Sequence, residues 1–135
     1  DFHPHITDHT HFKITYSTAR GKNLKLNEPL PMMPADCIKS EMVYELPLMW
    51  GYYKISTKTS LDYYFKQDLV AENEEQTGSY MLSDIGLKVQ RGSHEFSIHI
   101  DNLLDTEYIP HLSLLKESGI YEPGRNFVFK YSVKF

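Results

Sequence analysis

Hydrophobic and polar residues alternate with period two over six stretches of this chain. At the C-terminus Phe127, Phe129, Tyr131, Val133 and Phe135 fall on one face and Val128, Lys130, Ser132 and Lys134 on the other. Between Tyr53 and Phe65, Tyr53, Ile55, Thr57, Leu61, Tyr63 and Phe65 oppose Lys54, Ser56, Lys58, Ser60 and Asp62. Shorter runs alternate at Phe12–Ile14–Tyr16, Ile85–Leu87–Val89 and Phe96–Ile98–Ile100, and a weaker one at Met42–Tyr44–Leu46. Side chains of a strand point to opposite sides in turn, so each stretch predicts a strand with one apolar face. The fold class expected is all-β, an antiparallel up-and-down meander of about six strands.

The connections sharpen this picture. Pro47–Gly51 and Gln90–His94 are tight and carry a turn glycine, whereas Gly21–Cys37, Lys66–Ser79 and Thr106–Arg125 are long. Short and long connections alternate, which places every short turn at one end of the sheet and every long loop at the other. That asymmetry, with strands near the 9 to 11 residues that a tilted strand needs to cross a bilayer, is the pattern of a transmembrane barrel. Tyr16, Tyr44, Tyr52, Tyr53, Tyr63, Tyr80 and Tyr131 then stand near strand ends or on the outward stripe, as headgroup-level aromatics do. A soluble barrel or open sheet that binds an apolar ligand or a protein partner has the same alternation, with the aromatic face turned inward; the pattern defines two faces without saying which is inside.

Composition removes other classes. At 135 residues and 15.8 kDa, with 41% apolar and 13% aromatic residues, the chain is one module, and disorder is not expected. A net charge of -4 supplies no electrostatic reason to bind nucleic acid. The lone cysteine, Cys37, excludes an intrachain disulfide and a zinc cluster. No apolar run approaches the roughly 20 residues of a membrane-spanning helix. The opening residues Asp1–His5 lack the basic start and apolar core of a signal peptide, and no Met stands first, so the expectation is a fragment or processed product.

Ile98-His99-Ile100-Asp101-Asn102-Leu103-Leu104-Asp105-Thr106-Glu107-Tyr108, then Pro123-Gly124-Arg125-Asn126-Phe127 and a terminal Phe135, resembles the C-terminal end of TonB-dependent outer-membrane receptors. Pro29–Asp36 is similar to that family's proline-rich loop, and Gln67, Glu74 and Thr77-Gly78-Ser79-Tyr80 to its Q…E…T-x-x-Y segment. The resemblance covers the chain from about Phe12 onward. It implies that residues 1–135 are the C-terminal part of a receptor barrel in the outer membrane of a Gram-negative bacterium, with the plug, the N-terminal box and the other strands absent. It further implies uptake of a scarce ligand such as an iron chelate (siderophore or haem), powered by a TonB-type partner that grips the missing N-terminal part. Phe135 and the closing strand through Phe127, Phe129, Tyr131 and Val133 resemble the signal read by the outer-membrane assembly machinery.

Candidate chemistry is sparse. Tyr108, His111, Tyr121 and Arg125, in or beside the last long loop, are the side chains expected to face a ligand such as a metal chelate, with a structural pairing the main expectation for Arg125. Asn102 and Asp105 are expected to close an Asx-type turn, and Pro110 to start a short helical turn that Gly119 stops. His3, His5, His9 and His11 form two His-x-His pairs, each on one face of an extended chain, and are a candidate metal site. The acidic loop with Asp68, Glu72, Glu74 and Glu75 lacks the ligand spacing of a calcium loop and reads as solvated. No nucleophile elbow, phosphate loop or catalytic triad is present, so neither an enzyme nor a cofactor is expected. Beyond bilayer lipid, the remaining partner expected is a second copy, through open sheet edges.

Overall fold

The computed structural model describes residues 5–46 and 52–135. Nine strands form in chain order: β1 (His5–Thr7), β2 (Thr10–Ser17), β3 (Lys22–Asn23), β4 (Glu28–Pro29), β5 (Cys37–Leu46), β6 (Lys54–Tyr64), β7 (Tyr80–Arg91), β8 (His94–Asp101) and β9 (Asn126–Val133). Seven of them make one antiparallel sheet in the order β1-β2-β5-β6-β7-β8-β9, and β3 and β4 make a small hairpin inside the first long loop. The six alternating stretches are the six long strands, and β1 adds a three-residue edge. β7 starts at Tyr80, earlier than its apolar alternation, because Leu82 on the polar face interrupts the pattern.

Register carries the alternation across the sheet. Leu46 pairs with Ile55, Ile55 with Val89, Val89 with Phe96 and Phe96 with Tyr131, one apolar row spanning five strands. Phe12, Met42, Thr59, Ile85, Ile100 and Phe127 make a second row. A shift of one residue in any pair would turn a whole strand inside out. Tyr80 is the exception among the expected outward tyrosines: it pairs with Tyr64 on the polar face.

No second layer covers the apolar face. Among the described residues the only buried hydrophobic side chain is Cys37, while Phe129 remains 65% exposed and Tyr131 63%. The accessible surface is 9811 Å², about a third above the roughly 7,300 Å² of a compact monomer of this mass. The sheet is open, with β1 and β9 at its edges, so it is a curtain of strands and not a closed barrel. No helix among the described residues is long and apolar enough to cross a membrane.

All three long loops leave one end of the sheet. At the other end β7 and β8 are joined by Gly92 and Ser93, with Gly92 at a φ of 55° that glycine adopts without strain. The tight turn expected at Pro47–Gly51 lies outside the described residues. Leu87, mid-strand on the apolar face, and Ser56, on the polar face beside Glu45 and Lys88 in register, separate the two environments. In a bilayer Leu87→Arg is expected to destabilise the sheet by about 2–4 kcal/mol, and Ser56→Arg by less than about 0.5 kcal/mol. Urea unfolding of vesicle-reconstituted protein measures both, and equal effects would contradict a lipid-facing Leu87.

Candidate functional site

The polar face is laced with paired charges. Lys58 lies 2.8 Å from Glu41, Lys39 3.4 Å from Asp62 and Lys88 3.7 Å from Glu95. Ser60 donates to Asp84 at 2.8 Å, and His99 Nε2 lies 2.9 Å from Asp101. Lys13, Lys58, Ser60, Asp84 and His99 line a depression of about 460 Å³. Gly86 makes room for His99, since a Cβ there would stand 2.8 Å from its Nδ1. The face offers charge of both signs to water and holds its side chains by cross-strand pairing.

Where the long loops meet, the sheet is capped by a knot of buried polar groups. Gln67 and Thr77 bridge their backbones and close the second loop into a ring. Gln67 is 3% exposed and donates through Nε2 to the carbonyls of Met33 and Pro34 in the first loop. Glu74 accepts from the amides of Met32 and Ala71, and Lys116 donates to it at 3.4 Å. His111, 4% exposed, shares a 3.1 Å hydrogen bond between Nδ1 and Thr77 Oγ1. Its Nε2 lies 3.1 Å from Glu74 Oε1, an approach too poorly aligned to count as a hydrogen bond. One carboxylate thus ties together all three long loops.

The electrostatics of the knot follow from this packing. Burial opposes the charge on Glu74, but the two amides, Lys116 and His111 outweigh it and hold the carboxyl below its ordinary 4.5. Burial, with Lys116 beside it, pushes His111 below 6.5 despite Glu74, so its ring is neutral at pH 7. At the rim of the first loop the Arg20 guanidinium grips Asp36 with two hydrogen bonds of 2.5 and 2.6 Å, and Tyr16 donates to the same carboxylate at 3.1 Å. That fork holds the Asp36 carboxyl down at about 2.

Beneath the knot the polar face turns aromatic. Tyr64 and Tyr80 stack at 4.6 Å and Tyr80 and Tyr108 at 4.8 Å, with Lys39 Nζ 5.4 Å from the Tyr64 ring centre. A cavity of about 260 Å³ opens here, lined by Cys37, Lys39, Tyr64, Tyr80, Pro110 and Leu112 among others. Its walls are mostly apolar, with the Lys39 ammonium at the edge.

The proposed ligand-facing residues separate in space. Tyr108 lies in the tyrosine stack, its phenol raised chiefly by burial and then by Glu122. His111 is locked in the knot and also edges the cavity, whereas Tyr121 is exposed on the loop. Arg125 donates through Nε to the Leu103 carbonyl at 2.9 Å and through its amide to Asp105 at 2.7 Å. Phe127, Phe129, Tyr131 and Val133 line the apolar side of edge strand β9. His9 lies in the turn between β1 and β2, His11 lies on β2 and pairs in register with His5 of the edge strand β1, whereas His3 and the His5 side chain lie outside the described residues. Among the described residues no three metal-ligating side chains converge. Glu74 and Lys116 carry the knot, yet read in sequence as members of a solvated loop and of a loop turn. Glu74, like Gln67 and Thr77, stands in the Q…E…T-x-x-Y segment, but the partners of Glu74 and Lys116 in the other loops stand about forty residues away, so their burial is not marked locally.

No protein-family model matches the sequence, and no curated protein matches it. Solved structures similar to it include the copper transporter OprC, with a TM-score of 0.85 and 19% identity. The match covers 98% of this chain and 22% of that one, so the chain spans about a fifth of the length of that structure. The assignment to the TonB-dependent receptors is thereby corrected. No family model supports it, the solved structure matched across this chain is described as a copper transporter, and at 19% identity the likeness establishes a fold and not a family. Local geometry accounts for the motifs. Asn102 holds both the amide and the carbonyl of Thr106. Asp105 accepts the Arg125 amide, and a Cβ on Gly124 would stand 2.6 Å from Asp105 Oδ1. These residues staple the return from β8 through the third loop to β9.

Two outcomes test the knot. Glu74→Ala strands Lys116 and two amides, a loss of about 3 kcal/mol, and hydrogen exchange at Met32 and Ala71 should rise roughly a hundredfold while mid-strand β6 and β7 amides stay protected. Unchanged exchange at Met32 would contradict the tie. Both folded-state shifts are downward, so His111 and Glu74 contribute stability at neutral pH that falls as pH drops. Loss begins below 6.5 with His111 and continues below 4.5 with Glu74. The same amides should therefore lose protection between pH 7 and pH 5 after correction for intrinsic exchange, and His111→Gln should flatten that limb.

Proposed function

We propose that this chain is a wall segment of a transporter barrel in the outer membrane of a Gram-negative bacterium, with a metal ion or metal complex as cargo. The observation that carries the reading is the uncovered sheet itself, apolar over one face and charge-paired over the other, with the fold of part of a copper transporter. Such a face is stable against lipid and costly against water. Further strands of the same parent protein complete the two open edges, because six or seven strands enclose less than the smallest natural outer-membrane barrels. The role is passage and not catalysis. The tyrosine-lined cavity and the loop knot form the mouth through which cargo enters. A soluble binding module would need a second layer over Phe127, Phe129 and Tyr131, and the described residues supply none.

Deleting the gene in its host tests this reading. Cell-associated copper and iron, measured by mass spectrometry under metal limitation, should fall for one metal, and the protein should fractionate with the outer membrane. Unchanged content of both metals, or a protein in the soluble fraction, would overturn it.

A further inference from the structure

The apolar face contains one permanent charge. Along the six long strands, register places Phe12, Ile38, Met42, Ile55, Leu87, Ile98 and their neighbours on it, and Arg91 alone among the described strand residues of that face is a Lys, Arg, Asp or Glu. It stands at the short-turn edge, opposite His94. Its Nη1 donates to the Tyr53 hydroxyl at 3.0 Å, and the guanidinium carbon lies 5.1 Å from the Tyr53 ring centre. Beside it His94 Nδ1 and the Tyr131 hydroxyl are 2.7 Å apart with their rings stacked. The acidic residues of the six long strands, Glu41, Glu45, Asp62, Asp84, Glu95 and Asp101, belong to the opposite face.

A guanidinium at the end of a lipid-facing surface, held by the Tyr53 hydroxyl, is paired with no carboxylate among the described residues. Its depth is that of the headgroups, because the apolar rows end at this edge. We infer that Arg91, with Tyr53, His94 and Tyr131, binds the phosphate of an anionic glycerophospholipid at the short-turn boundary of the membrane. The inference rests on the membrane-wall reading and adds a specific headgroup to it. The fork of guanidinium donors matches phosphate oxygens, and the phenols and the imidazole ring place further hydrogen-bonding groups around it. The acyl chains continue over Val89, Phe96 and Tyr131.

The test uses the full parent protein in detergent micelles, titrated with phosphatidylglycerol or phosphatidylcholine, with lipid adducts counted by native mass spectrometry. Phosphatidylglycerol is expected to bind about fivefold more tightly than phosphatidylcholine. Arg91→Gln should abolish the preference and His94→Gln should reduce it, whereas Lys130→Gln on the opposite face should leave it intact. Equal affinity for the two lipids in the unmodified protein, or a preference that survives in folded Arg91→Gln protein, would overturn the site. If Arg91→Gln does not fold, Tyr53→Phe, which removes the phenol holding the guanidinium, takes its place and should weaken the preference; an unchanged preference would overturn the site. Flotation with phosphatidylcholine vesicles separates the two readings. Protein that floats without headgroup preference loses only this site, and protein that does not float loses the membrane wall with it.

Discussion

The cross-strand register is the constraint on which the rest of this structure depends. Side chains repeat every second residue, so pairing Leu46 with Ile55, Ile55 with Val89 and Val89 with Phe96 sends all of them to one side and Lys54, Lys88 and Glu95 to the other. Backbone hydrogen bonds between neighbouring strands set this sorting without any interior. A globular domain of similar length would bury its apolar side chains against one another; here Cys37 is the one described hydrophobic residue so buried. The apolar face therefore takes its stabilisation from whatever medium lies against it, and in the proposed membrane wall that medium is the bilayer.

With no apolar core, rigidity at the loop end comes from polar groups. Three long loops would otherwise splay, since each closes at an entropic cost. Glu74, Lys116, His111, Thr77 and Gln67 replace that packing with a buried network in which backbone amides and carbonyls of one loop bond side chains of another. Breaking such a network is costly because each remaining member is left desolvated. The tyrosine stack continues the same arrangement on the polar face of the sheet, and Tyr108 passes it to the third loop.

Much of this was legible from residue order, for a physical reason. Strand periodicity is a local property, so Phe127 to Val133 and Ile55 to Tyr63 announce their faces unaided, and so do the Gly92 turn and the stop at Gly119. The helical turn itself forms at Lys116–Ser118, later than Pro110, where Lys116 can reach Glu74 and the Glu75 carbonyl. Position along the chain also failed to mark Glu74 as buried, since its burial depends on partners brought in by the other two loops. The motif residues Asn102, Asp105, Gly124 and Arg125 were conspicuous because a tight return demands them, and for that reason they describe a local shape better than a family.

The distribution of charge completes the argument. On the polar face cations and carboxylates alternate and pair, so a solute passing along it meets little net field. Discrimination in the proposed transport role then belongs to the loop end, where Lys39 borders an aromatic cavity and His111 is held neutral at its edge. On the apolar face the single guanidinium sits at the opposite, short-turn end. In the proposed role the wall is thus asymmetric along the membrane normal as well as across its thickness: the loop end would meet cargo, the short-turn end headgroups, and the paired strands between them hold the two ends at a fixed separation.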